Sequence, residues 1–291
     1  MPCSAGTPDR KGRMERNAYD HRMIELNSGT SVPEIGFGTG KTSIDAVVSA
    51  LDAGYRLLDT AQMYGNEAEV GEAVRRSALP RSEVFLTTKL NNGHHAPTAV
   101  YETFEASLQR LGLDYVDLFL MHWPMPMLEV DYVDTWKAML ELAASGRARA
   151  VGVSNFEPAQ LQRLIEATGV TPAVNQIEMH PHFPNDEVRR YCQDRGIVVQ
   201  AWSPLARTDQ FGDPVIAELA KQHGVTSAQV MLRWHLQRGV VAIPKTNSPE
   251  RMAQNRDIYG FKLDEAEMSA ITALDKGESG RRGGHPNTFT G

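Results

Sequence analysis

The stretch "YVDLFLMHW", Tyr115–Trp123, is the most apolar run in the chain, and its reading decides the fold. Extended to "YVDLFLMHWPMPML" it is still too short for a membrane helix, and Asp117, His122, Pro124 and Pro126 interrupt it. Read as a strand, it joins a series of short apolar or β-branched runs. Before it come "EIGFGTG" (34–40), "YRLLDTA" (55–61) and "VFLTTKL" (84–90). After it come "ARAVGVSNF" (148–156), "AVNQIEMH" (173–180), "IVVQAWSPL" (197–205) and "VVAIPKT" (240–246), which makes eight.

Helical patterns with i, i+3, i+4 apolar spacing lie between these runs. "SIDAVVSALDAG" has Ser43 as a cap and Gly54 as a stop; "TSAQVMLRWHLQRG" has Thr226 and Gly239 in the same places. "PTAVYETFEASLQRLG" opens at Pro97 and ends at Gly112, and "EPAQLQRLIEATG" runs from Glu157-Pro158 to Gly169. Strands joined through helices must run parallel, since a tight hairpin cannot connect parallel neighbours. Eight such units predict a closed (β/α)8 (TIM) barrel, for which ~250 residues is typical. An open doubly wound sheet usually has fewer strands and often a nucleotide fingerprint. The one candidate, "IGFGTGKT" (35–42), fails: a Walker loop would need glycine at Ile35, and a dinucleotide fingerprint would need it at Lys41. Ahead of the first unit, "MIELNSGTSVPEIG" reads as a hairpin turning at Asn27-Ser28-Gly29, placed to plug the barrel bottom.

No linker or compositional shift interrupts the chain after Met23, so residues 23–291 read as one domain. Residues 1–22 are polar, without the apolar core of a signal peptide, and read as a flexible extension. A composition of 41% hydrophobic and 23% charged residues is that of an ordinary globular protein with ample core. The net charge of −6 gives no general attraction to nucleic acid or anionic membrane. Cys3 and Cys192, far apart, exclude a disulfide framework and fit a reducing, cytoplasmic compartment.

In such a barrel the active site lies where the strands end. Asp59 closes the second strand, with Tyr64 five residues on; Lys89 ends the third and His122 the fourth. Singly, these could be a turn cap, a half-buried phenol, a snorkelling lysine and a packing histidine. Together, three consecutive strands deliver Asp, Lys and His to one rim. A phenol's pKa of ~10 is too high for efficient donation near neutrality. A nearby ammonium lowers it, a carboxylate holds that ammonium, and a neutral imidazole can orient a carbonyl oxygen. Such a site protonates a carbonyl but supplies no electrons, so reduction needs a hydride donor.

"GYRLLDTAQMYGNEAEVG" (54–71), "MLELAASGRARAVGVSNF" (139–156) and "IPKTNSPERMAQN" (243–255) resemble three characteristic regions of the aldo-keto reductase superfamily. The short segment after His122-Trp123-Pro124 and the short tail near "HPNTF" are similar to bacterial members of the 2,5-diketo-D-gluconate reductase type. The resemblance implies a monomeric enzyme with Tyr64 as general acid, tuned by Lys89 and Asp59, with His122 positioning the carbonyl. It implies NADPH lying across the barrel mouth and no metal. Gly38, Thr39 and Asp59 would flank its nicotinamide end, Ser154, Asn155 and Gln176 would hold the carboxamide, and Trp202 would stack on the ring. Ser203 and Leu205 would line the pyrophosphate path. Lys245, Thr246, Asn247 and Arg251 would surround the 2′-phosphate, with Gln254 and Asn255 at the adenine. The residues agree in part: "PKTNSPER" sets Lys245 and Arg251 around hydroxyl and amide groups at a strand end and helix start, a sound anion site.

Met63, Trp123 and Trp202 would wall the substrate pocket. Gly40 and Asn91 stand where the family often has aromatics, which implies a wider or more polar pocket. Small sugars, keto acids, α-dicarbonyls such as methylglyoxal, and general aldehydes all fit that expectation. Two other readings compete. His180 and His182, with His94 and His95, could begin a zinc site, though a catalytic site usually has three protein ligands. A low-turnover NADPH-binding sensor of the same fold is the second.

Overall fold

The computed structural model describes residues 22–290. The extension expected over residues 1–22 therefore lies, but for Arg22, outside the described residues.

Alternation along the strands sorts the apolar side chains into two cores. Leu57, Leu118, Leu120, Val241 and Ile243 pack with one another inside a barrel. Their chain neighbours Leu58, Phe119, Met121, Val240 and Ala242 pack outward against helices. The hairpin strands β1 (Met23–Glu25) and β2 (Ser31–Pro33) pair antiparallel, and Gly29 turns between them at φ +78°. Leu26 and Val32 of this hairpin join the inner core, so it closes one end of the barrel as expected.

The barrel strands are β3 (Phe37–Gly38), β4 (Leu57–Asp59), β5 (Phe85–Leu90), β6 (Val116–Met121), β7 (Ala148–Ser154), β8 (Val174–Glu178), β9 (Val198–Trp202) and β10 (Val240–Ile243). They form one eight-stranded parallel sheet in sequence order. A parallel bridge between Ile35 and Ala242 closes the ring, with Gly36 N–H donating to Ala242 O at 2.8 Å and Ala242 N–H to Glu34 O at 3.0 Å. The architecture is thus the (β/α)8 barrel that the alternation predicts. The strands are shorter than their sequence runs. In the first run, expected over 34–40, only Phe37–Gly38 is ladder, because the chain then turns into the mouth.

The four expected helices are present, with their signals used as read. They are α1 (Ile44–Asp52), α3 (Pro97–Leu111), α5 (Pro158–Thr168) and α8 (Ser227–Gln237). Ser43 Oγ caps the first, Thr226 forms a capping box on the last, and Gly112 and Gly169 end α3 and α5 at φ +64° and +70°. The remaining helices are α2 (Glu67–Arg76), α4 (Tyr132–Ala144), α6 (Asp186–Gln193), α7 (Pro214–His223), α9 (Pro249–Arg256) and α10 (Glu265–Thr272). Two helices, α7 and α8, lie between β9 and β10, which breaks the one-helix beat. Among the described residues no helix is long and apolar enough to cross a membrane.

Helix α2 meets the end of α3 at Gly71, where an added Cβ would lie 1.9 Å from Leu111 O. Arg75 Nη1 donates to the same carbonyl at 3.0 Å, so the two helices cannot easily separate there. Gly71→Ala is expected to destabilise the protein by about 1–3 kcal/mol, overriding the ~1 kcal/mol helical preference for alanine. Gly93→Ala, where a Cβ meets nothing within 4 Å, is expected to stay within about 0.5 kcal/mol. Urea unfolding of the two variants checks both.

Candidate active site

Parallel strands deliver their C-terminal ends to one rim, and the ends of β4, β5 and β6 bring Asp59, Lys89 and His122 there. Lys89 is wholly buried, with Nζ 2.5 Å from Asp59 Oδ1 and donating to Thr60 O at 3.0 Å. Asp59 Oδ2 accepts Gln176 Nε2 at 2.7 Å, and the same nitrogen donates to Gln200 Oε1 at 3.1 Å. Both amide protons of Gln176 are thereby used. Its Oε1 takes no hydrogen bond among the described residues.

Tyr64 ends a short 3₁₀ turn, Gln62–Tyr64, that leads from the end of β4 into α2. Lys89 Nζ lies 5.2 Å from the centre of its ring, and the His122 ring meets it edge-on with centroids 6.0 Å apart. The four residues expected to meet at one rim do so. Two residues that the sequence reading missed hold the turn. Asn66 Nδ2 donates to Thr39 O at 2.7 Å while its Oδ1 accepts Thr60 Oγ1, and Gln62 Oε1 accepts Asn91 N–H at 2.9 Å. An asparagine after "YG" reads as turn chemistry, and no local pattern tells what it would tie together.

Burial is the largest influence on the Tyr64 phenol and raises its pKa. Lys89 acts downward and Asp59 upward, and the net shift is upward. This corrects the expectation that the ammonium leaves the phenol below its ordinary value: its pull has the expected sign but burial exceeds it. For Lys89, burial acts to lower the pKa, but the Asp59 carboxylate and the Tyr64 oxygen outweigh it and the group stays protonated. Burial, helped by the Lys89 charge, pushes His122 down to about 3. The imidazole is neutral, and its Nδ1 is buried without a partner.

Gly40 stands against this group: an added Cβ would lie 3.5 Å from the Tyr64 ring. Lys245 Nζ donates to Gly40 O at 3.0 Å, linking the end of β10 to the loop after β3. Thr39 is buried and bound to Asp59 O through both N–H and Oγ1. Met63 is exposed at the rim, whereas Trp123 is buried and stacked on Phe289 at 3.9 Å. Asn91 turns inward, its Oδ1 accepting Asn92 N–H at 2.8 Å, so it caps its own loop.

The remaining expected residues surround the same mouth. Ser154 Oγ donates to Gln176 O, and Asn155, at φ +63°, donates to Ser154 Oγ and to His122 O. Asn155 Oδ1 accepts Trp202 Nε1 at 2.8 Å, which fixes the indole. After Trp202 the backbone is contorted: Ser203, Ala206, Arg207 and Thr208 all have positive φ, whereas Leu205 between them does not. Beyond β10, Thr246 Oγ1 accepts Ser248 N–H and Ser248 caps α9 by accepting Arg251 N–H. The Arg251 guanidinium is exposed and makes no ion pair among the described residues, and Asn247 is exposed beside it. Gln254 donates to Glu250, and Asn255 is buried.

The histidines of the metal reading do not converge. His95 faces Thr135 on α4, His180 bonds Glu178 and Gln210, and His182 lies 3.6 Å from Asp213. Among the described residues no three His, Cys, Asp or Glu side chains could hold a metal ion.

The closed parallel barrel thus gathers a protonated phenol, a buried ammonium–carboxylate pair and a neutral imidazole at its mouth. The chain belongs to the aldo/keto reductase family, whose profile matches residues 34–276. It is 44% identical over 259 residues to 2,5-diketo-D-gluconic acid reductase B of Corynebacterium sp., covering 87% of this chain and 93% of that one. It is 43% identical over 276 residues to methylglyoxal reductase DkgA of Escherichia coli, covering 92% and 98%. The crystal structure of a Bombyx mori aldo-keto reductase in complex with NADP superposes with a TM-score of 0.84 at 37% identity, covering 91% of this chain and 95% of that one.

Buried neutral histidines make the fold acid-sensitive. His122 and His235 are pushed down to about 3 and His95 to about 4, all by burial first. Unfolded, each binds a proton below about pH 6.5, so stability is full above that value and falls as pH drops. Each group contributes a slope of about 1.4 kcal/mol per pH unit down to its folded pKa. Urea midpoints between pH 7.5 and 4.5 are expected to fall steeply. His235→Gln is expected to remove about a third of the slope due to these three.

Proposed function

We propose that this protein reduces small carbonyl compounds to alcohols with NADPH. The observation that carries the reading is the buried Lys89–Asp59 pair beneath a protonated Tyr64 that faces neutral His122. Tyr64 gives its proton to the carbonyl oxygen, and the Lys89 ammonium stabilises the phenolate left behind. His122 orients the oxygen without competing as an acid, because its ring is neutral. A bound NADPH would supply the hydride.

The chain's own groups fit that cofactor. The Gln176 amide presents an acceptor oxygen to the mouth, matched to the N–H donors of a carboxamide. Ser154 Oγ, which accepts from Asn155, and Asn155 Oδ1, which accepts from Trp202, each keep an acceptor lone pair, so with Gln176 they would hold the carboxamide, and Trp202 would stack on the ring. Arg251 in the first turn of α9, with Lys245 and Thr246, suits a terminal phosphate; Gln254 and Asn255 follow on the same helix, where adenine would lie. Gly38 and Thr39 bring backbone close to Asp59, on the nicotinamide side. Ser203 and Leu205 would line the pyrophosphate path, and the positive φ of Ser203 and of Ala206 to Thr208 is of the kind stored at ligand clamps. For substrates we infer α-dicarbonyls and keto sugars, the classes named for the Corynebacterium and E. coli relatives. The pocket would be walled by Met63, Trp123 and Trp202, with Gly40 leaving room beside Tyr64 and Asn91 in the adjoining loop. We further infer a monomer.

Steady-state kinetics with NADPH across methylglyoxal, keto acids and small sugars test the reading. Tyr64→Phe is expected to lower kcat by about 10²- to 10⁴-fold while fluorescence-detected NADPH affinity stays near normal. Tight NADPH binding with no turnover of any carbonyl would favour the sensor instead. Arg251→Ala is expected to weaken NADPH binding by about 10-fold or more and leave NADH unchanged; equal preference in both proteins would remove the phosphate assignment. Gly40→Trp, its new ring against Tyr64, is expected to exclude bulky carbonyls with NADPH binding little changed. Unaltered selectivity would place Gly40 outside the pocket.

A further inference from the structure

Glu178 stands at the mouth end of β8, and the proposed reaction gives it no task. It is buried, and its two oxygens reach a segment more than one hundred residues later: Oε1 accepts Arg282 N–H at 2.8 Å and Oε2 accepts Gly283 N–H at 2.8 Å. His180 Nε2 lies 3.0 Å from Oε1. Burial alone would raise the pKa of this carboxyl, but these bonds outweigh it and hold the group below its ordinary value. The charge is therefore kept in a dry place by His180 first and then by the two peptide N–H groups of the segment it holds.

That segment touches both tryptophans of the mouth. An added Cβ at Gly283 would lie 2.5 Å from Trp202 Cη2 and 3.0 Å from Glu178 Oε2, so the backbone lies directly on the indole. Trp202 is tied through Asn155 to the carbonyl of His122. Farther on, Asn287 Oδ1 accepts Gln160 Nε2 at 2.9 Å and Phe289 stacks on Trp123. The segment is also held by ion pairs, Arg282 with Asp209 and Arg281 with Glu278 and Glu157, and by Arg281 lying over the Phe183 ring; the Arg282 pair is the one most open to salt. The Glu178 bonds, like the Asn287 bond and the Phe289 stack, are holds that salt does not reach, and among the described residues the Glu178 bonds alone fix the Arg282 and Gly283 amides.

We propose that Glu178 is a positioning residue whose carboxylate latches residues 281–289 against Trp202 and Trp123 and so sets the substrate side of the mouth. The kinetic part of this inference rests on the carbonyl-reductase reading; the latch itself does not.

Hydrogen exchange tests the latch on the whole protein. In Glu178→Gln the amides of Arg282 and Gly283 are expected to exchange roughly 10- to 100-fold faster, as befits lost bonds to a charged acceptor, with β5 and β6 amides unchanged. Gly283→Ala, which leaves the carboxylate intact but forces the segment off Trp202, is expected to release the same amides and serves if Glu178→Gln fails to fold. With methylglyoxal and NADPH, KM in Glu178→Gln is expected to rise about 2- to 10-fold, the worth of one aromatic contact, with kcat moving less. Phe289→Ala is expected to do the same, and the double variant Glu178→Gln/Phe289→Ala to be no worse than the poorer single one. Unchanged exchange at 282–283 overturns the latch. Released exchange with additive KM effects overturns its role in the pocket. If the wild type reduces no carbonyl, the exchange result still decides the latch, and the failure falls on the reductase reading.

Discussion

The mouth of this barrel depends on one buried ion pair. Lys89 and Asp59 sit on adjacent strands, and taking such charges out of water costs several kcal/mol per ion. The cost is offset by polar partners for both charges: Thr60 O takes another ammonium proton and Gln176 Nε2 the second carboxylate oxygen. Removing either partner would strand a charge with no water to take it, at about 3–5 kcal/mol. The pair thus demands a closed barrel with β4, β5 and β8 in fixed register. That demand, more than local propensity, ties the rim together.

Orientation follows from the pair. Gln176 must point its nitrogen at Asp59, since its oxygen there would face a carboxylate, and its remaining proton goes to Gln200 Oε1. The amide oxygen is left facing the mouth. Asn155 works in the same way on the other side: held at positive φ, it uses both ends of its amide on Trp202, Ser154 and His122 O. Two side-chain amides, each with one chemically permitted orientation, set the faces that a planar ligand would meet. The charge on Lys89 also helps keep His122 neutral, so the same ion that stabilises a phenolate prevents a rival acid beside it.

Much of this was legible in the sequence because its causes are local. Ser43, Thr226, Pro97, Gly112 and Gly169 act within a turn of where they stand, and alternation along strands is a two-residue signal. Asp59, Lys89 and His122 were readable as a set once three strands were known to be parallel neighbours. The pKa of Tyr64 was not, because its sign depends on how much water the fold excludes, and burial outran the ammonium. Nor was the grip of Glu178 on Arg282 and Gly283, a contact between segments with no shared pattern. Phe289 was visible only as the aromatic of a short tail; nothing local says that its ring meets Trp123. Asn91 was readable as a gap in a wall, but not as a residue whose Oδ1 ties its own loop and leaves Nδ2 without a partner among the described residues.

The division of labour at the rim has a physical reason. Groups at strand ends are fixed by the ladders: Asp59 is held between β3 and β5, Lys89 against β6, and His122 directly follows the last laddered residue of β6. The tail and the turn after β3 carry no ladder and are held by a few discrete contacts: Glu178 to the Arg282 and Gly283 amides, Phe289 to Trp123, Lys245 to Gly40 O. Each of these can be altered without moving the ion pair, because none of them shares an atom with it. In the proposed reaction the chemistry would fall to the part of the mouth that the barrel holds, and selection among carbonyls to the part held by discrete contacts. Gly40 lies on the boundary between the two, bonded to the loose side through its carbonyl and facing Tyr64 through the place where a side chain would be.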